Sequence, residues 1–256
     1  MKTSVAPKIL AVVPARYAST RFPGKIIAPL LGKPLVVHTF ERACQASLVT
    51  ETLIATDDPI VVEAVKPYNV PVMLTRADHQ SGTDRIAEVV EKHPADIIVN
   101  VQGDEPLIDR NTIDEAIRPL LERPEVMMTT ARRLITDPED VENPNVVKVV
   151  CDTRGDALYF SRWPIPYIRD ETDRGREPFC HWQHIGLYVY RRDFLLQYAK
   201  MPLTPLEKLE KLEQLRALEN GYKIAVIDTD YEALGVDTKE DLVRVEAVLQ
   251  AKLKEG

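Results

Sequence analysis

Two phosphate-binding devices are missing from this chain. No G-x-G-x-x-G occurs, because no two of its ten glycines are separated by a single residue. Gly24-Lys25 is followed by Ile26, so there is no P-loop either. A dehydrogenase or a P-loop kinase is therefore not expected. Cysteine is scarce: Cys44, Cys151 and Cys180 stand far apart and read as reduced thiols of a cytoplasmic protein, not as a disulfide framework. Long apolar runs are also lacking. The run near the N-terminus, Ile9 to Val13, is five residues and ends at Pro14, too short for a signal peptide or a membrane span. Positive charge is not in excess, since 33 Lys and Arg against 40 Asp and Glu leave a net charge of −7. That excludes a global basic field suited to nucleic acid or an anionic membrane. Any anionic ligand must be met by local cations.

Local cations are present. "PARYASTRFPGK" (14–25) follows the apolar "KILAVV" and carries Arg16, Arg21 and Lys25 with the hydroxyls of Ser19 and Thr20. A solvated loop is the plain alternative. Two features favour a phosphate site: the loop follows a strand directly, where open α/β sheets hold their ligands, and small residues between the cations let backbone N–H groups approach a polyanion.

The remaining 45% hydrophobic and 29% charged residues describe a soluble globular protein, and 256 residues can bury a sizeable core. Strand-like and helical runs alternate through the first half. Strands are expected at 8–13, 52–56, 70–74 and 96–101, with a long helix at 34–46, a short one from Asp58, and one that Ser81 caps over "GTDRIAEVVEKH" with Asp84 in its first turn. This predicts an α/β fold, a mostly parallel sheet with helices on both faces. The second half changes rhythm: "NVVKVVCD", "ALYFSRWPIPYI" and "HIGLYVYRR" read as strands, "PLEKLEKLEQLRALENG" as one helix stopped by Gly221, "KIAVID" as a strand, and "DTKEDLVRVEAVLQAKL" as a closing amphipathic helix. We read one domain, 1–256, with a small strand-rich sub-lobe at about 145–195 that contacts a substrate or a partner subunit.

"QGDEP" (102–106) ends the fourth strand, which puts Asp104 at the ligand-binding edge of the sheet, facing the first loop. A carboxylate opposite cations that hold a triphosphate suits a Mg²⁺ ligand; a turn-capping Asp is the alternative. Asp237 of "GVDTKED" lies in the turn before the last helix, where Thr238 can cap. "CHWQH" lacks a fourth ligand, so zinc is not expected there. Leu206, Leu209, Leu212, Leu215 and Leu218 read as the core-facing ridge of one helix, with Glu213 and Gln214 flanking it. His184 opens an alternating strand, where it could be a structural histidine.

Taken in order, "PARYASTRFPGK", "TDD", "HQSGTDR", "VQGDEP", "YFSR", "HIGLYVYR", "LEKLEQLR" and "GVDTKEDL" resemble the 3-deoxy-manno-octulosonate (Kdo) cytidylyltransferases, the CMP-Kdo synthetases of lipopolysaccharide biosynthesis, across nearly the whole chain. The resemblance implies a Rossmann-like nucleotidyltransferase fold, a cytoplasmic homodimer, and transfer of CMP from CTP to Kdo with Mg²⁺. It implies that Arg16 and Lys25 neutralise the CTP phosphates with Ser19 and Arg21 in support, that Arg76, Ser81 and Gly82 face the cytosine, and that Asp104 and Asp237 hold Mg²⁺. Gln102, Arg162, His184, Tyr188, Glu213 and Gln214 would line the sugar site; a carboxylate-bearing sugar wants one cation and many polar partners. The rivals are a related enzyme acting on another acidic sugar or a sugar 1-phosphate, and a non-catalytic nucleotide sensor.

Overall fold

The computed structural model describes residues 6–19, 21–170, 172 and 180–255. Thr20 of the cation-rich loop and residues 173–179 of the 145–195 segment lie outside the described residues.

In chain order the first half comprises β1 (Ile9–Ala15), the short pair β2 (Pro29–Leu30) and β3 (Lys33–Pro34), α1 (Leu35–Ala43), β4 (Glu51–Thr56), α2 (Pro59–Val65), β5 (Val72–Leu74), α3 (Gly82–Lys92), β6 (Ile97–Asn100) and α4 (Arg110–Glu122). The second half comprises β7 (Met128–Leu134), α5 (Pro138–Glu142), β8 (Lys148–Cys151), β9 (Ala157–Ser161), β10 (Trp182–Arg191), α6 (Arg192–Tyr198), α7 (Pro205–Glu210), α8 (Leu215–Glu219), β11 (Ile224–Asp228) and α9 (Lys239–Glu255).

The central sheet runs β11-β7-β10-β6-β1-β4-β5. β6, β1, β4 and β5 are mutually parallel, as are β7 and β11, while β10 is antiparallel to both of its neighbours. β1 shows why the sheet is covered on both sides. Its Ile9, Ala11 and Val13 pack into one core with α1, α4 and α9. The alternate residues Leu10 and Val12 enter a second core with α3, α6 and α8. A strand buried on both faces has to be apolar throughout, which is how "ILAVV" reads. The expected mostly parallel sheet with helices on both faces is the fold observed. Strands β8 and β9 form a hairpin attached to β10, so the strand-rich segment extends the main sheet.

Several helix signals take the form the sequence suggests. Ser81 and Asp84 form a reciprocal capping box on α3, with both bonds at 3.1 Å, and Thr238 caps α9 by accepting from the Asp241 N–H at 3.1 Å. Two expectations fail. "WPIPYI" (163–168) forms no strand, because its prolines lack the N–H that a ladder needs. The long helix over 205–221 is two short ones, broken at Lys211, which is left-handed at φ 54°. The break turns the leucine ridge aside: Leu209 is 79% exposed while Leu212 is buried. A buried ion pair compensates across it, as Arg216 of α8 donates to both oxygens of Glu207 in α7 at 2.5 and 2.8 Å. Gly221 does end α8, at φ 78°.

Candidate active site

The carboxyl ends of β1, β4 and β6 open on one edge of the sheet, where parallel strands leave a crevice. At the end of β1 the chain turns back on itself. Gly24, at φ 72°, donates to the Tyr17 carbonyl at 3.3 Å, and the Lys25 N–H reaches Phe22 O at 3.1 Å. Only glycine takes that conformation without strain. Ile26 is buried beside it, which fixes the direction of its neighbour Lys25. At the end of β6, Gly103 passes so close to β1 that a Cβ there would stand 2.5 Å from Pro14 O. Thr39 of α1 donates to the Gly103 carbonyl at 3.1 Å. The Val236 N–H bonds Asp104 O at 2.9 Å, which ties the approach to α9 against the same turn.

These three pieces converge on Lys25. Its ammonium lies 2.6 Å from Asp104 Oδ2 and 2.9 Å from Asp237 Oδ1, and Arg21 reaches the other oxygen of Asp237 at 2.9 Å. Burial works against the Lys25 charge, but Asp104 and then Asp237 outweigh it and raise its pKa. Residues 212 positions apart in sequence are thus held in one cluster. They border a cleft of about 320 Å³ lined by Arg16, Ser19, Arg21, Lys25, Gly82, Gln102, Asp104 and Asp237 together with Pro14, Ala18, Ile26 and Gly103. Two carboxylates facing one cation have the right chemistry for a hard divalent ion, which commonly takes one or two carboxylates and completes its shell from water and substrate phosphates. Among the described residues no group of three or more His, Cys, Asp or Glu is arranged to hold a metal alone.

A larger cleft, about 780 Å³, lies between the start of α4, the 228–234 loop and α9. Asp109, Glu115, Asp228, Asp230 and Glu232 line it against Arg42 and Lys252, a net acidic set and the wrong sign for a polyanion. The smaller, cation-lined cleft is the better site.

Of the other sequence-proposed residues, Gln102 lines the cleft, while Arg76, Ser81, Arg162, His184, Tyr188, Glu213 and Gln214 are outside its lining. The Arg76 guanidinium is 69% exposed and pairs with Asp78 at 3.3 Å. Ser81 is occupied as the cap of α3. On the side toward β10, Gln102 Nε2 donates to Gly186 O at 3.3 Å, and Tyr188 donates to Gln214 Oε1 at 3.1 Å. The break at Lys211 is what delivers Glu213 and Gln214 to this side. Burial raises the Glu213 carboxyl, and burial pushes the His184 imidazole down to about 3, so it is neutral and bonds Thr130 Oγ1 at 2.9 Å. Gln214 Nε2 is buried with no hydrogen-bond partner among the described residues, whereas Glu213 meets Thr83 and Asn100 meets Tyr190. Arg162 is anchored, with Nε on Glu210 O at 2.7 Å and NH1 on Pro144 O at 2.8 Å.

Sequence reasoning missed several contributors. Arg85 of "GTDR" is fully buried, bonds Thr75 and faces Asp57 of "TDD" at 3.3 Å. Burial lowers its pKa against the pull of Asp57, and the nearby charge of Arg16 lowers it further. Glu105 accepts from Tyr231 at 3.2 Å; burial and then the charge of Asp104 push its carboxyl up to about 7. A glycine between the amide and the acid of "QGDEP" was the available signal for a close backbone approach. Nothing in the sequence pointed to Asn100.

A cation-rich turn facing two carboxylates, at the carboxyl edge of a mostly parallel α/β sheet, defines a nucleotide-handling transferase of the Rossmann-like class. The comparisons narrow this. Residues 10–224 match the family model described as cytidylyltransferase, and the chain belongs to that family. It is 55% identical to the 3-deoxy-manno-octulosonate cytidylyltransferase of Solibacter usitatus, over 97% of each chain. It is also 55% identical to the enzyme of that name from Geobacter metallireducens, over 93% of this chain and 96% of that one. Among solved structures it resembles CMP:2-keto-3-deoxy-manno-octonic acid synthetase complexed with CTP. That match has a TM-score of 0.90 and 41% identity, covering 96% of this chain and 99% of the other. A cytidylyltransferase from Leptospira borgpetersenii, 18% identical at a TM-score of 0.62 over 96% of this chain and 87% of that one, shares the fold.

Proposed function

We propose that this chain transfers CMP from CTP to 3-deoxy-D-manno-octulosonate, giving CMP-Kdo and pyrophosphate. The observation that carries this is the juxtaposition of Lys25, Arg16 and Arg21 with Asp104 and Asp237 in one cleft, in a chain 55% identical to enzymes named for this activity. The anomeric hydroxyl of the sugar attacks the α-phosphorus in line. A new P–O bond forms, the bond to the β-phosphate oxygen breaks, and the hydroxyl proton is released to solvent. Such chemistry is mostly positioning and charge stabilisation. Arg16 and Lys25 meet the charge growing on the leaving pyrophosphate, with Ser19 and Arg21 in the same turn. Arg76, Ser81 and Gly82 belong to the loop that meets the base. Gln102, Tyr188, His184, Glu213 and Gln214 supply neutral or acidic partners for sugar hydroxyls, and Arg162 is the cation for its carboxylate. Mg²⁺ held by Asp104 and Asp237 would lower the pKa of the attacking hydroxyl and orient the α-phosphate. Lys25 then exchanges its carboxylate partners for phosphate oxygens.

The product serves lipopolysaccharide biosynthesis in the cytoplasm. No described helix is long and apolar enough to cross a membrane. The protein works as a homodimer through the 145–195 segment. Supporting this, Leu158 on β9 and Trp163 and Tyr167 just beyond it are 61, 75 and 82% exposed, and β9 pairs, among the described residues, only with β8. Kdo labelled with ¹⁸O at its anomeric hydroxyl tests the chemistry. The label should be retained in the bridging oxygen of CMP-Kdo; label in pyrophosphate, or no conjugate of the expected mass, refutes it.

A further inference from the structure

The loop from Arg76 to Ser81 joins β5 to α3 and leads directly into Gly82, which lines the cleft. Its ends are fixed. Thr75 bonds Thr56 O through both its N–H, at 2.8 Å, and its hydroxyl, at 3.0 Å, and Ser81 is locked in the cap of α3. Between them, Arg76 to Gln80 make no backbone–backbone hydrogen bond among the described residues. One side chain replaces that missing ladder. Glu88, on α3, accepts from the Arg76 N–H at 3.0 Å and from His79 Nε2 at 2.5 Å through Oε2, while Lys92 holds Oε1 at 2.6 Å. The side chains of Glu88 and His79 are 10 and 6% exposed, so the junction is shielded at its centre and open toward Arg76 and Lys92. Charge-assisted bonds in such a setting are short and directional.

We infer that Glu88 is a positioning residue for nucleotide use: through the Arg76 N–H and His79 it holds the 76–81 loop in the shape the base meets. This rests on the reading of that loop as the base-binding one. Glu88 touches no substrate. It acts by removing alternatives from the loop, so its loss appears in CTP affinity and not in the chemical step. Lys92 neutralises the same carboxylate from the outer side and, among the described residues, makes no hydrogen bond or ion pair with the loop, which makes it the natural control.

The test compares Glu88→Ala, Glu88→Gln, His79→Asn and Lys92→Ala in the full-length protein. Two readouts are needed: hydrogen–deuterium exchange of a peptide spanning 76–80 without ligand, and steady-state kinetics with CTP and Kdo varied in turn. Glu88→Ala should raise exchange in the loop at least tenfold and raise KM for CTP about ten- to thirtyfold, with kcat and KM for Kdo within twofold. Glu88→Gln keeps an acceptor for the Arg76 N–H and should recover part of both; His79→Asn should fall between, and Lys92→Ala should match wild type. If Glu88→Ala does not fold, the Gln and Asn variants carry the same test. Unchanged exchange in the Glu88 variants overturns the anchor. Raised exchange with CTP KM unchanged, or with KM for both substrates and kcat altered together, overturns the positioning role. Wild-type protein that does not use CTP defeats the functional reading and the inference with it, an outcome recognisable before any variant is made.

Discussion

Replacing Lys25 by methionine removes one charge from the centre of the site while keeping most of the stem. In the wild type the ammonium is 12% exposed and bridges Asp104 and Asp237, whose side chains are 31 and 45% exposed. A hydrogen bond to a charged group contributes about 1.5–3 kcal/mol where it is shielded. The bond to the half-exposed Asp237, which Arg21 also serves, contributes about 0.2–1 kcal/mol. Lys25→Met should therefore destabilise the ligand-free protein by about 2–4 kcal/mol. For a chain of this size that is roughly 4–16 °C in Tm. Arg21→Ala removes a cation that is 69% exposed and should cost less than about 1 kcal/mol. Thermal unfolding in EDTA compares the two. Adding Mg²⁺ should then restore part of the loss in Lys25→Met, since a divalent ion would relieve the unpaired carboxylates. In turnover, Lys25→Met should cost about ten- to a hundredfold in CTP kcat/KM, because roughly 1.4 kcal/mol is tenfold. A Lys25→Met protein no less stable than Arg21→Ala, with CTP kcat/KM within threefold of wild type, would show that the cluster holds nothing together.

Asp104→Asn and Asp237→Asn should each remove most Mg²⁺-dependent turnover while the circular dichroism of the fold is retained, because an amide is a poor ligand for a hard cation; normal turnover in either removes that residue from the mechanism. Gly103→Ala should lower Tm and turnover together, since its Cβ would stand 2.5 Å from the immobile Pro14 carbonyl; a protein indistinguishable from wild type would mean that turn can shift freely. Leu212→Ala should cost about 2–5 kcal/mol in denaturant unfolding, whereas Leu209→Ser should stay within about 0.5 kcal/mol; equal costs would restore the single helix. Burial alone would raise the Glu88 carboxyl, but Lys92, the Arg76 N–H and His79 hold it down to about 2, against an ordinary 4.5. Its contribution to stability is therefore complete above pH 4.5 and is lost as pH falls toward about 2; the stability gap between wild type and Glu88→Gln should close over that window.

How legible was all this in the chain itself? Signals carried by local periodicity and capping read through directly. "ILAVV" is apolar on both faces because both faces are covered, and Ser81 with Asp84 writes its own helix start. The 205–221 segment misled because leucines every three residues fit a helix, while the preference for a break lies in a contact nine residues long, the Arg216–Glu207 pair, and in a left-handed Lys211 that no residue type announces. That break is also what brings Glu213 and Gln214 beside Tyr188, so the geometry of the β10 side was hidden with it. The cation-rich turn and both acids were visible as types. Their meeting at Lys25 was not, because it depends on three loops closing over 212 positions of sequence. Partners such as the buried Arg85 and Asn100 and the partly buried Glu88 carry no local pattern at all; only the fold shows what they face.

One comparison tests the proposed chemistry most directly: pyrophosphate release by the purified protein with Mg²⁺ and CTP, supplied with Kdo or with a panel of sugar 1-phosphates. The cleft as described predicts steady release with Kdo, none above background with the phosphorylated sugars, and loss of the Kdo-dependent signal in Asp104→Asn. Release with a sugar 1-phosphate in place of Kdo, or no release with either, would contradict it.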